Sequence, residues 1–114
     1  MKQMIVMRTD LGMRKGKMIA QGAHASMKVV LENMDHPDVK AWLNDRFTKV
    51  CVRVESEDEL LDILDRAKDA DVLATLITDA GLTEFGGVPT NTCIAVGPAD
   101  PERLHPITGH LKLL

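Results

Sequence analysis

A chain of 114 residues, 45% hydrophobic and 27% charged, is long enough to bury one core without disulfide or metal staples. No apolar run approaches the ~20 residues of a membrane-crossing helix, and Lys2 to Arg8 is too short and too polar for a secretory signal, so a single cytoplasmic domain over residues 1–114 is expected. The net charge of −3 is unevenly spread: residues 1–30 hold six Lys and Arg against one acid, residues 31–114 eight against sixteen, and this asymmetry points to an anionic partner met by the N-terminal third.

Met4 to Met7 reads as a first strand. Lys15 to about Asn33 reads as a helix, because Met18, Ile19, Ala23, Met27, Val30 and Met34 fall near helical spacing. Asp35 followed by Pro37 suggests a fresh helix start, with a short second helix over Val39 to Leu43. Thr48 to Glu55 alternates, with Val50, Val52 and Val54 on one face of a strand. Ser56 and Glu59 form a capping-box pattern, and the helix they open turns Leu60, Ile63, Leu64 and Ala67 inward and its acids to water. Val72 to Thr78 is a third strand, Asp79 to Thr90 a glycine-rich loop and Thr92 to Val96 a fourth strand. Asp100 and Pro101 open a last helix that Pro106 keeps short, and the tail GHLKLL carries no clear pattern. Cys51 and Cys93 each lie in a strand without metal-ligand spacing and read as small buried hydrophobes. Alternating strands and helices make the class α/β with a mostly parallel or mixed sheet, in which sites collect where strand ends meet loops and helix N-termini.

Two strand-end loops carry polar chemistry. The first opens DLGMRKGKMIAQGAHAS, residues 10–26, where Arg14, Lys15 and Lys17 crowd a helix start. Cations there oppose the helix dipole, so the choice costs helix stability and signals a use, namely holding an anion. The nucleotide P-loop pattern fails, since Gly12 to Gly16 is one residue short and Met18 stands where a magnesium-holding hydroxyl belongs. The second loop, TDAGLTEFGGVPTNT, sets Asp79 at a strand end with Thr83, Thr90 and Thr92 around it. By itself Asp79 reads as a turn cap, but facing the lysine loop it reads as one half of a hydrolytic site using an activated water. His24, seven residues after Lys17, is either a general acid–base or a hydrogen-bonded structural histidine. No histidine pairing suits a metal. With Trp42, Phe47 and Phe85 as the only aromatic residues, a reader built on aromatic base platforms is not expected, whereas a grip on folded RNA through its phosphates is compatible.

The segments VMRTDLGMRKGKMIAQGAHA, LITDAGLTEFGGVPTNTCIAVGP and ITGHLKLL, in that order and spanning nearly the whole chain, resemble the archaeal and eukaryotic (second) type of peptidyl-tRNA hydrolase. The resemblance implies a three-layer α/β/α domain with a small mixed four-stranded sheet, often dimeric. It implies cleavage of the ester joining a peptide to the terminal ribose of tRNA, without metal or other cofactor. Residue by residue it assigns functional roles to Lys17, His24, Asp79, Thr83 and Thr92, and Arg14 and Lys15 join Lys17 as expected tRNA-phosphate contacts. Three features depart from the family pattern. Arg14 replaces the first glycine of its G-K-G-K segment, Leu82 stands where arginine is common, and the loop after Thr83 is one residue longer and lacks the usual Pro-Gly in register. Two other readings are a non-catalytic relative that binds tRNA or protein, and a hydrolase of a different acylated adduct.

Overall fold

The structure is a computed structural model describing residues 1–114. Its elements are β1 (Lys2–Arg8), α1 (Lys15–Glu32), α2 (Pro37–Leu43), β2 (Lys49–Val54), α3 (Glu57–Asp69), β3 (Ala74–Asp79), β4 (Thr90–Ala99) and α4 (Pro101–Thr108). The strands form one sheet in the order β2-β1-β4-β3, with β1 parallel to β2 and β4 antiparallel to both of its neighbours. The expected mixed four-stranded α/β sheet is therefore present.

Alternation along β1 divides the core between the two faces. Met4 and Val6 join Val52, Val54, Ile94 and Val96 under Leu60, Ile63 and Leu64 of α3 and Leu104 and Ile107 of α4. Ile5 and Met7 join Cys93 and Ala95 under Ala25 and Val29 of α1. Gly22 brings α1 close to β1: a Cβ there would sit 3.6 Å from Ile5.

Helix α3 is built for its own stability. Ser56 accepts a hydrogen bond from the Glu59 N–H at 3.0 Å, acids fill the first turn, and Arg66 and Lys68 sit in the last. Helix α1 is the opposite: its N-cap is Arg14, no side chain caps it and its first turn holds no acid. Helix α2 starts two residues before Val39, at Pro37, where the His36 ring caps it by accepting from the Asp38 N–H at 3.0 Å. The Asp100 side chain makes no cap bond, and α4 continues for two residues beyond Pro106.

Strand β4 outruns its expected span at both ends. At its far end the ladder with β1 steps from Met4↔Val96 to Lys2↔Ala99, an extra residue on β4 that absorbs Gly97 and Pro98 as a bulge. The tail finds a place as well: Leu113 bridges Val52, and the Leu114 N–H donates to the Cys51 carbonyl at 3.1 Å, covering the outer edge of β2.

Two readings of apolar positions are corrected. The face of α1 that packs on the sheet is Gln21, Gly22, Ala25 and Val29, whereas Ile19 and Met27 are 73% and 65% exposed. Cys51 is exposed and only Cys93 is buried. Both follow from one cause. Helix α1 lies over β4, β3 and β1 and leaves the same side of β2 uncovered, so a groove of about 760 Å³ runs between the α1 stripe and β2, walled at one end by Trp42, Leu43 and Phe47.

Candidate active site

The C-terminal end of β3, the N-terminal end of β4 and the start of α1 meet at one edge of the sheet. Lys17, in the first turn of α1, places its ammonium 2.9 Å from the Asp79 carboxylate, and both side chains are largely buried. The partners lie 62 residues apart in sequence and close the contact between the two loops. Thr83 is 3.4 Å from the same ammonium.

Asp79 is satisfied on both oxygens. Oδ1 accepts from Lys17 and, at 3.3 Å, from the Gln21 side-chain amide, while Oδ2 accepts from the Gly81 N–H at 2.9 Å. The Gly81 donor exists because residue 81 turns at φ +80° hard against the backbone of Val88, a conformation and a space that only glycine fills. Hydrogen bonding from Lys17, then from the Gly81 N–H, holds the Asp79 pKa below the ordinary carboxylate value. Burial alone would raise it, and here the hydrogen bonds outweigh burial.

Gln21 carries the network inward. Its buried side-chain oxygen accepts a short hydrogen bond from the fully buried Thr92 hydroxyl. Thr92 and Cys93 are neighbours on a strand, yet both contact Gln21: Thr92 through its side chain and the Cys93 thiol through the backbone carbonyl at 3.3 Å. The reason is a bulge. The β3–β4 ladder steps from Ile77↔Cys93 to Thr78↔Asn91, which leaves Thr92 as the extra residue and re-aims its side chain toward α1.

Arg8 is the frame beneath the lysine loop. Only 8% exposed, it donates to both oxygens of Asp10 at 3.1 and 2.7 Å and to the Asn91 carbonyl at 2.9 Å, tying the end of β1 and the start of its loop to β4.

Of the residues singled out in the sequence, Lys17, Asp79 and Thr83 come into direct contact, and Thr92 reaches Asp79 through Gln21. His24 does not join them: it is exposed on α1 and lies apart from the Lys17, Gln21 and Asp79 hydrogen bonds. Arg14 and Lys15 are both exposed but diverge, Arg14 toward the second loop and Lys15 toward the apolar groove on the other flank of α1. Gln21 and Arg8 were not legible as site residues. Their only signal is a polar side chain inside an apolar pattern, an amide on the packed face of a helix and a cation at a strand end. No three His, Cys, Asp or Glu side chains are placed so that they could hold a metal ion together.

Cation, carboxylate and hydroxyl gather at the strand ends of an α/β sheet, the place where sites of α/β enzymes collect. The chain belongs to the peptidyl-tRNA hydrolase PTH2 family, whose model matches residues 1–114. It is 44% identical to a peptidyl-tRNA hydrolase of Methanocaldococcus jannaschii, covering 100% of both chains, and 45% identical to one of Halobacterium salinarum, covering 99% of both. A solved Agrobacterium protein of unknown function shares the fold, with a TM-score of 0.67, 13% identity and coverage of 99% of this chain and 96% of that one.

Proposed function

We propose that the chain hydrolyses the ester between a peptide and the terminal ribose of tRNA, and that it does so in the cytoplasm. The observation that carries the site assignment is the Lys17–Asp79 pair with Thr83 beside it. Water attacks the ester carbonyl, and the negative charge that develops on the carbonyl oxygen lies beside the Lys17 ammonium, assisted by the Thr83 hydroxyl. Such preorganised donors are worth roughly 10²–10³ in turnover each. Asp79 stays ionised under its three donors, so it fixes Lys17 and orients the water rather than acting as a strong base. The proton that the water loses ends on the ribose oxygen as the carbon–oxygen bond breaks. Gln21 and Thr92 are positioning residues, acting through Asp79. Arg14 grips tRNA phosphate at the site, and Lys15 does so from the neighbouring flank.

The test is a substrate panel: N-acetylaminoacyl-tRNA, the same tRNA with a free amino group on its amino acid, and an acylated adduct lacking tRNA. Release of acetylamino acid from the first substrate, far faster than cleavage of the adduct, is expected. Faster cleavage of the adduct overturns the assignment of substrate.

The apolar groove supports a second copy of the chain as a partner. Ile19, Met27 and Leu31 form an exposed stripe of large side chains on one helix, and two such helices crossing about a two-fold axis cover each other. Sedimentation is expected to give a dimer, and Met27→Glu a monomer that keeps the Lys17–Asp79 site; a monomeric parent chain overturns this reading.

A further inference from the structure

A second, polar cleft of about 450 Å³ opens beside the Lys17–Asp79 pair, lined by Leu11, Gly12, Arg14, Thr83, Glu84 and Phe85. It shares Thr83 with the site, so the two are one continuous surface. The Phe85 ring packs partly against the core under α1, and its centroid lies 5.7 Å from the Lys17 ammonium. The other two aromatic residues are occupied elsewhere, Trp42 packed at a 44° tilt against Phe47 with centroids 4.4 Å apart at the end of the apolar groove. One half-buried ring thus stands beside the Lys17 ammonium, at the mouth of the polar cleft.

The chemistry of the substrate requires a base in that neighbourhood. The ester is carried by the last ribose of the tRNA, and the same ribose carries an unpaired adenine. Unpaired bases are held by stacking on aromatic faces. We propose that Phe85 is the platform on which the terminal adenine stacks, with Arg14 on the phosphate of that nucleotide and the Glu84 carboxylate accepting from the exocyclic amino group. This rests on the peptidyl-tRNA reading above and adds a specificity determinant to it. A sparse set of aromatic residues is no obstacle, because one base needs one ring.

The experiment crosses enzyme and substrate changes. N-acetylaminoacyl-tRNA is prepared with its normal terminal adenosine and with an abasic terminal nucleotide. Each is given to the parent protein, Phe85→Leu, which keeps the packing against the core, and Phe85→Trp. Loss of stacking corresponds to an effect on the order of tenfold or more. The parent is expected to lose that factor in kcat/KM on the abasic substrate, mainly through KM. Phe85→Leu is expected to lose it on the normal substrate and nothing further on the abasic one, while Phe85→Trp keeps the discrimination. Equal losses by Phe85→Leu on both substrates mean that the ring serves Lys17 or the fold alone, and overturn the proposal. So does a parent protein indifferent to the base. A parent that cleaves neither ester overturns the peptidyl-tRNA reading itself, a distinguishable outcome.

Discussion

Replacing Lys17 and Asp79 singly and together asks whether they act as one unit. Lys17→Ala removes the ammonium facing the oxyanion, an expected loss on the order of 10²–10³ in kcat. Asp79→Asn keeps the shape and removes the charge. The carboxylate takes three donors, Lys17 and Gln21 on one oxygen and the Gly81 N–H on the other. An amide offers one acceptor oxygen, so its NH₂ faces a donor on one side or the other, and Lys17 loses both counter-charge and anchor. The expected loss is about 10² or more. Because the Asp79 contribution runs through Lys17, the double variant is expected to fall only a few-fold below the worse single variant, whereas independent residues would compound to on the order of 10⁴ or more. The assay is hydrolysis of N-acetylaminoacyl-tRNA under saturating substrate, with circular dichroism confirming that each variant is folded. Fully additive losses would refute the shared constellation.

Arg14→Ala is expected to weaken tRNA binding and flatten its salt dependence by about one unit of log–log slope; Lys15→Ala, on the other flank of α1, is expected to have a smaller effect on kcat/KM at equal salt, checked by titrations at several salt concentrations. Asp10 and Asp79 both titrate below the usual carboxylate range, held there first by their hydrogen bonds to Arg8 and Lys17. The unfolded chain therefore takes up more protons, and stability is full above the unfolded value of about 4 and falls as pH drops toward the folded values; Asp10→Asn is expected to flatten that acid limb in urea melts measured between about pH 5 and 2. Burial pushes the Cys93 thiol up to about 11, so alkylation located by mass spectrometry is expected to spare Cys93 in the folded protein and reach it on unfolding. Gln21→Leu is expected to lower kcat by about tenfold with KM nearly unchanged, since the amide holds Asp79 without lining the polar cleft.

The strands and helices were legible because each carries its own period: Val50, Val52 and Val54 in β2, and Leu60, Ile63, Leu64 and Ala67 in α3. The lysine loop and Asp79 were legible because Lys15 and Lys17 sit where a helix resists cations and Asp79 sits at a strand end. What could not be read depends on tertiary placement. Helix α1 carries two apolar stripes, and only the position of α1 across β4, β3 and β1 decides which is buried, so Ile19 and Met27 looked like core and are surface. Cys51 followed them out because the same side of β2 has no helix above it. The β4 bulge that turns Thr92 toward Gln21 is a matter of ladder register between distant segments, which no local pattern encodes. His24 shares the helix with Lys17 at a spacing that suggested a common face, yet the β3–β4 loop reaches only the first turns of α1.

Cleavage of the peptide–tRNA ester by the Lys17–Asp79 pair differs from binding of tRNA alone in the fate of the ester. The most direct test is a single-turnover experiment with protein in excess over labelled N-acetylaminoacyl-tRNA, reading bound tRNA and intact ester in the same sample. Complete ester cleavage is expected with the parent protein, and with Asp79→Asn tRNA that stays bound with its ester largely intact. Tight binding with an intact ester on the parent protein, or equal cleavage by parent and Asp79→Asn, would contradict cleavage by this pair.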